Sequence, residues 1–236
     1  MNRKGIFHCH SAYSYDSVMS IPRLARWANA QKLDFLVLTD HDSIQGSLAL
    51  KKHCNENHLN IEVPLSAEYQ TEYGDVIAMG IHKEIESRKY AAFVREVREQ
   101  GGLLLLPHPY VGHKNINQLA EDVDMIEVFN ARCRNVDNIR AMDLAKKHGK
   151  GMCYAGDAHS LNELENCIVV LNQHGEFLSA VKTGGMVMIK SKKTLMSDID
   201  KSQLIKAIKR RTCIKIARQS RLLLSRWLSG SRRERI

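Results

Sequence analysis

Eight residues with metal-ligating side chains recur at the ends of apolar runs: His8, His10, Asp16, His41, Glu68, His108, Asp157 and His159. His8-Cys9-His10-Ser11 opens the series, and Asp16 stands six residues past His10. Two histidines one residue apart on a strand point to the same face, and where that strand gives way to a loop they begin a metal site. Thr39-Asp40-His41-Asp42, Pro107-His108-Pro109 and Gly156-Asp157-Ala158-His159 repeat the placement. Mixed imidazole and carboxylate donors without thiolates suit zinc, manganese or iron. A carboxylate such as Glu68 can bridge two ions, and two ions ~3.5–4 Å apart can hold a hydroxide at neutral pH and clamp a phosphoryl oxygen.

Apolar runs alternating with helix-period segments must carry these groups. Strands are expected at Ile6–Cys9, Phe35–Leu38, Ile61–Leu65, Val76–Met79, Leu103–Leu106, Met125–Phe129 and Met152–Ala155. Helices are expected from Ser20, with Pro22 in the first turn, from Ser43 to about Asn57, across Tyr90–Gln100 and over about Val136–His148. Such alternation implies parallel β/α units, and every candidate ligand then falls on the C-terminal face of the strands, where β/α barrels keep their active sites. By strand alternation Cys9 should face away from the histidines, into the core.

The chain has 236 residues, 44% of them hydrophobic, enough for one compact domain with a sizeable core. No secretory signal is visible in Met1–Gly5, no spanning segment is apparent, and the six cysteines form no CxxC pair. A reducing cytoplasm is the expected compartment. The net charge of +9 is unevenly placed: from Lys201 onward twelve Lys and Arg face Glu234 alone, a net of +11, leaving residues 1–200 at −2. Ser202–Arg211 reads as a helix and Thr212–Ile216 as a final strand completing a domain of residues 1–216. Residues 217–236, with Leu222-Leu223-Leu224 and Trp227-Leu228 among arginines, read as a basic amphipathic tail, either solvated or able to touch nucleic acid, an anionic membrane or an acidic protein.

Order, spacing and strand context of these motifs, together with Ile126-Glu127-Val128-Phe129-Asn130, resemble the PHP family, named for its polymerase and histidinol phosphatase members. The resemblance covers roughly residues 5–215. It implies a distorted seven-stranded β/α (TIM-like) barrel with two or three divalent ions. His8, His10, Glu68 and Asp157 would hold the first ion, and Asp16, His41 and the bridging Glu68 the second. His108 and His159 would serve a third, or complete the second and contact substrate. Family members with three ions usually add a histidine near the fourth strand; here Gly74–Met79 contains none, and Asp75 is the substitute ligand on offer.

The expected activity is that of a metal-dependent phosphoesterase on a nucleotide, a nucleic-acid end or a small phosphomonoester, with a metal-bridged hydroxide attacking phosphorus. Asp157 would act in catalysis as an ion ligand, while His41 or His159 would protonate the leaving oxygen. Asn130, Arg132 and Arg134, just past a strand, could hold substrate phosphate or be a solvated loop. A non-catalytic metal-binding barrel acting through its basic tail is the alternative. His53, His58, His82, His148 and His174 are expected to be surface or structural residues, His113 and Lys114 a solvated loop, and Asp42 the cap of the following helix.

Overall fold

The computed structural model describes residues 2–172, 176–183 and 185–229. His174 and residues 230–236 of the basic tail lie outside the described residues. β1 (Asn2–Cys9), α1 (Ile21–Ala30), β2 (Phe35–Leu38) and α2 (Gln45–Glu56) form the first half-unit. β1 and β2 run parallel with Gly5 opposite Phe35. A Cβ on Gly5 would stand 2.5 Å from the Phe35 ring, so the close approach of these strands requires glycine. Leu24, Ala25 and Ala28 of α1 are buried on the β1–β2 layer, at the 3–4 residue spacing of one helix face.

β3 (Ser66–Thr71) and β4 (Gly74–Met79) follow, then α3 (Tyr90–Glu99), β5 (Leu103–Leu106), α4 (Ile116–Asp122), β6 (Met125–Asn130), α5 (Asn135–His148) and β7 (Gly151–Ala155). β5, β6 and β7 are parallel as expected, whereas β3–β4 and β4–β5 are antiparallel. Only Glu72 and Tyr73 separate β3 from β4, too few residues for a parallel crossover. The strand expected at Ile61–Leu65 is reduced to one bridge between Glu62 and Phe35, and pairing resumes at Ser66, beyond Pro64, which has no N–H to offer a ladder.

β8 (Cys167–Asn172), α6 (Phe177–Thr183) and β9 (Met186–Ser191) were not legible as elements; β8 pairs antiparallel with β1, and β9 with β8. The closed seven-stranded barrel is therefore corrected to a mixed α/β fold with two sheets, ordered β2-β1-β8-β9 and β3-β4-β5-β6-β7. The physical reason is that β8 takes the free edge of β1 at residues 2–5. The sheets meet at single bridges, Cys9 with Ala158 and His41 with Glu68. Phe7, Val37, Ile77, Leu105, Cys153 and Val169 fill the core between the sheets, and the helices cover their outer faces.

α7 (Met196–Lys209) and α8 (Cys213–Leu228) complete the described chain. The strand expected at Thr212–Ile216 is instead the start of α8, which runs through the expected boundary at residue 216. Helix-forming residues continue to Leu228, and an ion pair between Arg226 and Asp200 ties α8 to α7. No described helix is long and apolar enough to cross a membrane.

Candidate metal centre

All eight candidate ligands converge where the ends of β1, β2, β5 and β7 meet the middle of β3. His8 and His10 both point into the centre with Cys9 facing away, as alternation requires, but the alternation breaks one residue earlier, between Phe7 and His8. His8 has φ +58°, and the β1–β2 register shifts between Ile6 and Cys9. Phe7 consequently joins the inter-sheet core while Cys9, as expected, faces the outer layer. His108 and Asp157 are likewise left-handed, with φ +29° and +49°. Such backbone costs about 1–3 kcal/mol per residue and persists where surrounding packing enforces it.

His8 Nε2 lies 3.4 Å from Glu68 Oε2 and 3.5 Å from Asp157 Oδ1. His10 Nε2 lies 3.5 Å from each of the same two oxygens. Both Nε2 atoms are buried and lack a hydrogen-bond partner. Donors ~2.1 Å from one ion at a tetrahedral angle stand ~3.4 Å apart, so this quartet has the spacing of ligands around a shared cation. Beside it, ligand atoms of His10, Asp16, His41 and His159 lie within 4.8 Å of one another. Glu68 Oε2 is also 3.2 Å from His41 Nδ1, so one carboxylate faces both groups. A further group joins Glu68, Asp75 and His108.

The imidazoles are oriented from behind. His8 Nδ1 meets Glu127 Oε1 at 2.9 Å, His10 Nδ1 meets Ser14 Oγ at 3.1 Å, and His159 Nδ1 meets the Asp157 carbonyl at 2.9 Å. Each contact leaves Nε2 directed at the centre, the arrangement by which ligand histidines are held in one tautomer. Glu127 also accepts from the His108 backbone N–H at 2.8 Å and from Asn130 Nδ2 at 2.7 Å. No role was read for Glu127 from the sequence; its available signal is an acid between Ile126 and Val128 on an apolar strand. Asp40, buried, accepts from both Ser11 N and Ser11 Oγ at 2.6 Å and so fixes the turn after His10.

Burial would raise the Glu68 and Asp157 carboxyls, but the imidazoles around them, His8 foremost, hold both well below the usual range. Burial would lower His41 and His108, yet Glu68, with Asp16 beside His41, raises them to about 8 and about 9. His10, buried and facing His159, falls to about 3 and is therefore neutral, as a ligand must be. Burial and the Glu68 charge push Asp75 up to about 6. The carboxylates require positive charge, and divalent ions would supply it in place of protons. The donor set and its spacing thus fit the ions expected from the sequence.

Arg132 lines a cavity of about 150 Å³ over the centre, together with His10, His41, His108, Asp157 and His159. Asn130 is committed to the framework: its side-chain Nδ2 donates to Glu127 and, at 3.3 Å, to Asp157, and its Oδ1 accepts from Arg132 N. Arg134 does not line the cavity; its guanidinium makes two bonds to Asp137, at 2.8 and 3.0 Å. Asp42 does not cap α2. Its carboxylate accepts from Gln70 N and Arg88 Nε, while Glu84 takes the Ile44 N–H at the helix start. His113 is not a solvated loop residue. Its ring lies 5.5 Å from that of His108, with Nε2 at 2.7 Å from the Asp75 carbonyl. His53, His58, His82 and His148 join none of the ligand groups among the described residues.

Comparison with known proteins agrees with this geometry. Residues 7–183 match the family model of the PHP domain. An uncharacterized protein of Methanocaldococcus jannaschii is 30% identical over 173 residues, covering 64% of this chain and 72% of its own length. A two-domain protein of Bacteroides vulgatus, described as containing a predicted PHP-like metal-dependent phosphoesterase, superposes with a TM-score of 0.67 at 16% identity over 81% of this chain. The present chain spans 65% of that protein. Endonuclease Q, in complex with a duplex bearing an abasic lesion, gives a TM-score of 0.52 at 12% identity, over 80% of this chain and 59% of that one. At those identities the likeness to both structures is one of fold.

Proposed function

The chain belongs to the PHP domain family, and from that premise we propose that it is a metal-dependent phosphoesterase. The observation that carries the reading is the unpartnered Nε2 pair of His8 and His10, facing Glu68 and Asp157 at 3.4–3.5 Å. His8, His10, Glu68 and Asp157 would hold one divalent ion, and Asp16, His41 and Glu68 a second, with His108 and His159 at the flanks. Bound there, zinc, manganese or iron supplies Lewis-acid activation of water and neutralises charge on the phosphoryl oxygens. The protein's own residues do the rest. Arg132 lines the cavity while its guanidinium bonds Ser202 Oγ at 2.5 Å and pairs with Glu163 at 3.5 Å, so it adds fixed positive charge beside the phosphoryl site. His41 would give a proton to the leaving oxygen only where it does not itself ligate the second ion, because a ligating imidazole is neutral. His159 is the other residue positioned for that transfer.

A cavity of about 150 Å³ is smaller than the ~300 Å³ at which a pocket buries a whole small molecule. It suits one phosphoryl group, with the remainder of a nucleotide, nucleic-acid end or small phosphomonoester lying across the mouth. The buried thiols of Cys9, Cys54, Cys153 and Cys167, free among the described residues, fit a reducing cytoplasm. The test is metal analysis paired with turnover on a panel of phosphate esters, for wild type, His8→Ala and Asp157→Ala. Wild type should contain divalent metal and hydrolyse at least one ester, while both variants lose metal and turnover together. Full turnover by a metal-loaded variant would refute the ligand assignment, and metal without turnover would leave a binding module.

A further inference from the structure

α7 reaches the mouth of the centre from outside the segment that matches the family. Ile199 and Gln203 line the cavity, and Lys206 and Arg210 continue the same helix face at spacings of four, three and four residues. The helix is fixed there by Lys209, whose ammonium donates to the carbonyls of Ala12, Ser14 and Ser17 at 3.0, 2.6 and 2.8 Å. These carbonyls belong to the loop that carries Asp16.

On this loop the Tyr15 ring stacks on His41, with centroids 4.4 Å apart and planes 2° from parallel. Arg210 Cζ lies 3.9 Å, and Lys206 Nζ 4.6 Å, from the Tyr15 centroid. His41 thus covers one face of a ring that both cations approach within 5 Å of its centroid. Neither cation makes a side-chain hydrogen bond or ion pair with any described residue. The carboxylates that act on Lys206 are Asp16, Asp75 and Glu68, all members of the ion-ligating groups. Two like charges side by side repel, and a carboxylate that would separate them is absent among the described residues. An anion between them would relieve that repulsion and gain two charge-assisted contacts.

We propose that Lys206 and Arg210, backed by Tyr15, form an anion subsite at the mouth of the centre that holds a second phosphate of a substrate carrying two. The choice of phosphate rests on the phosphoesterase reading above; the subsite itself rests on two neighbouring cations, neither of which makes an ion pair with a described residue. It makes the substrate class narrower than a simple monoester: the preferred compound carries one phosphoryl group in the cavity and another across α7.

The test is calorimetric titration of α,ω-alkane bisphosphonates of two to six carbons, and of the matching alkylphosphonates, into the full-length protein loaded with Mn²⁺. Wild type should bind the best-spaced bisphosphonate about tenfold or more tightly than its monophosphonate. Lys206→Met/Arg210→Met should bring that ratio to about one, while Lys206→Arg keeps it. The two single Met variants, each losing part of the ratio, serve if the double variant does not fold. A wild-type ratio near one at every chain length, or a ratio retained in the double variant, overturns the subsite. Phosphonates are not hydrolysed, so a protein inert towards phosphate esters would refute the catalytic reading and leave this binding result to stand or fall by itself.

Discussion

Replacing Glu127 with Gln changes one atom in the framework and should cost metal affinity. Glu127 Oε1 takes the proton of His8 Nδ1, and Oε2 takes the His108 N–H and an Asn130 N–H. Glutamine can keep its oxygen towards His108 and Asn130 only by turning its NH₂ on His8 Nδ1. That nitrogen must then accept, so the imidazole proton moves to Nε2, the atom that faces Glu68 and Asp157. The opposite orientation sets the NH₂ against two buried donors, at about 1–3 kcal/mol for each donor left unpaired. The first orientation is therefore favoured, and the ligand atom of His8 is blocked. Loss of an orienting carboxylate typically lowers metal affinity about 10–100-fold, or about 1.4–2.7 kcal/mol. Titration of Zn²⁺ or Mn²⁺ into chelator-stripped protein measures this, and long-range ¹H–¹⁵N spectra of the imidazoles report the tautomer. Wild-type affinity together with an Nδ1-protonated His8 in Glu127→Gln would refute the reasoning.

Two further outcomes follow from residues around the centre and away from it. A Cβ at Gly46 would sit 1.8 Å from Asp40 Oδ2, so Gly46→Ala must displace the carboxylate that holds Ser11. Denaturant unfolding should show a loss of about 2–4 kcal/mol, from overpacking plus broken buried hydrogen bonds; a change within about 0.5 kcal/mol would contradict the structure. Burial would raise the Asp124 carboxyl, but Arg98 at 2.6 Å and the Leu104 N–H at 2.9 Å lower it below its ordinary value. A depressed carboxyl stabilises the fold above its unfolded pKa of about 4, and that contribution disappears as pH falls through the folded value. The melting temperature of Asp124→Asn should lie below wild type at pH 7 and converge on it towards pH 2, and a constant difference would argue against the shift.

Much of the centre was legible because ligation restricts residue type and because strand ends carry it. His8, His10, Asp16, His41, Glu68, His108, Asp157 and His159 are all brought together. Six of the expected strands, all but Ile61–Leu65 and Thr212–Ile216, and the helices expected after β1, β2, β4 and β6 needed only apolar runs and 3.6-residue periodicity. Less legible was anything resting on a partner distant in sequence. β8 and β9 are short apolar runs whose identity comes from pairing with β1, and the antiparallel turn at β3–β4 depends on two loop residues. Thr212–Ile216 alternates like a strand, yet packing on α7 and the Arg226–Asp200 pair make it helix. Arg134 and Asn130 had the chemistry to meet a phosphate, but Asp137 and Glu127 already engage them.

By itself, then, the sequence determined the ligand inventory, the family and the order of the elements, since these depend on residue type and local period. Tertiary structure decided which atoms face the ions, which cations remain available and how the sheets join. Those depend on a left-handed turn at His8, on a carboxylate 119 residues away at Glu127, and on a helix laid across the mouth from beyond residue 195. Distances between side chains that far apart in sequence exist only once the chain is folded.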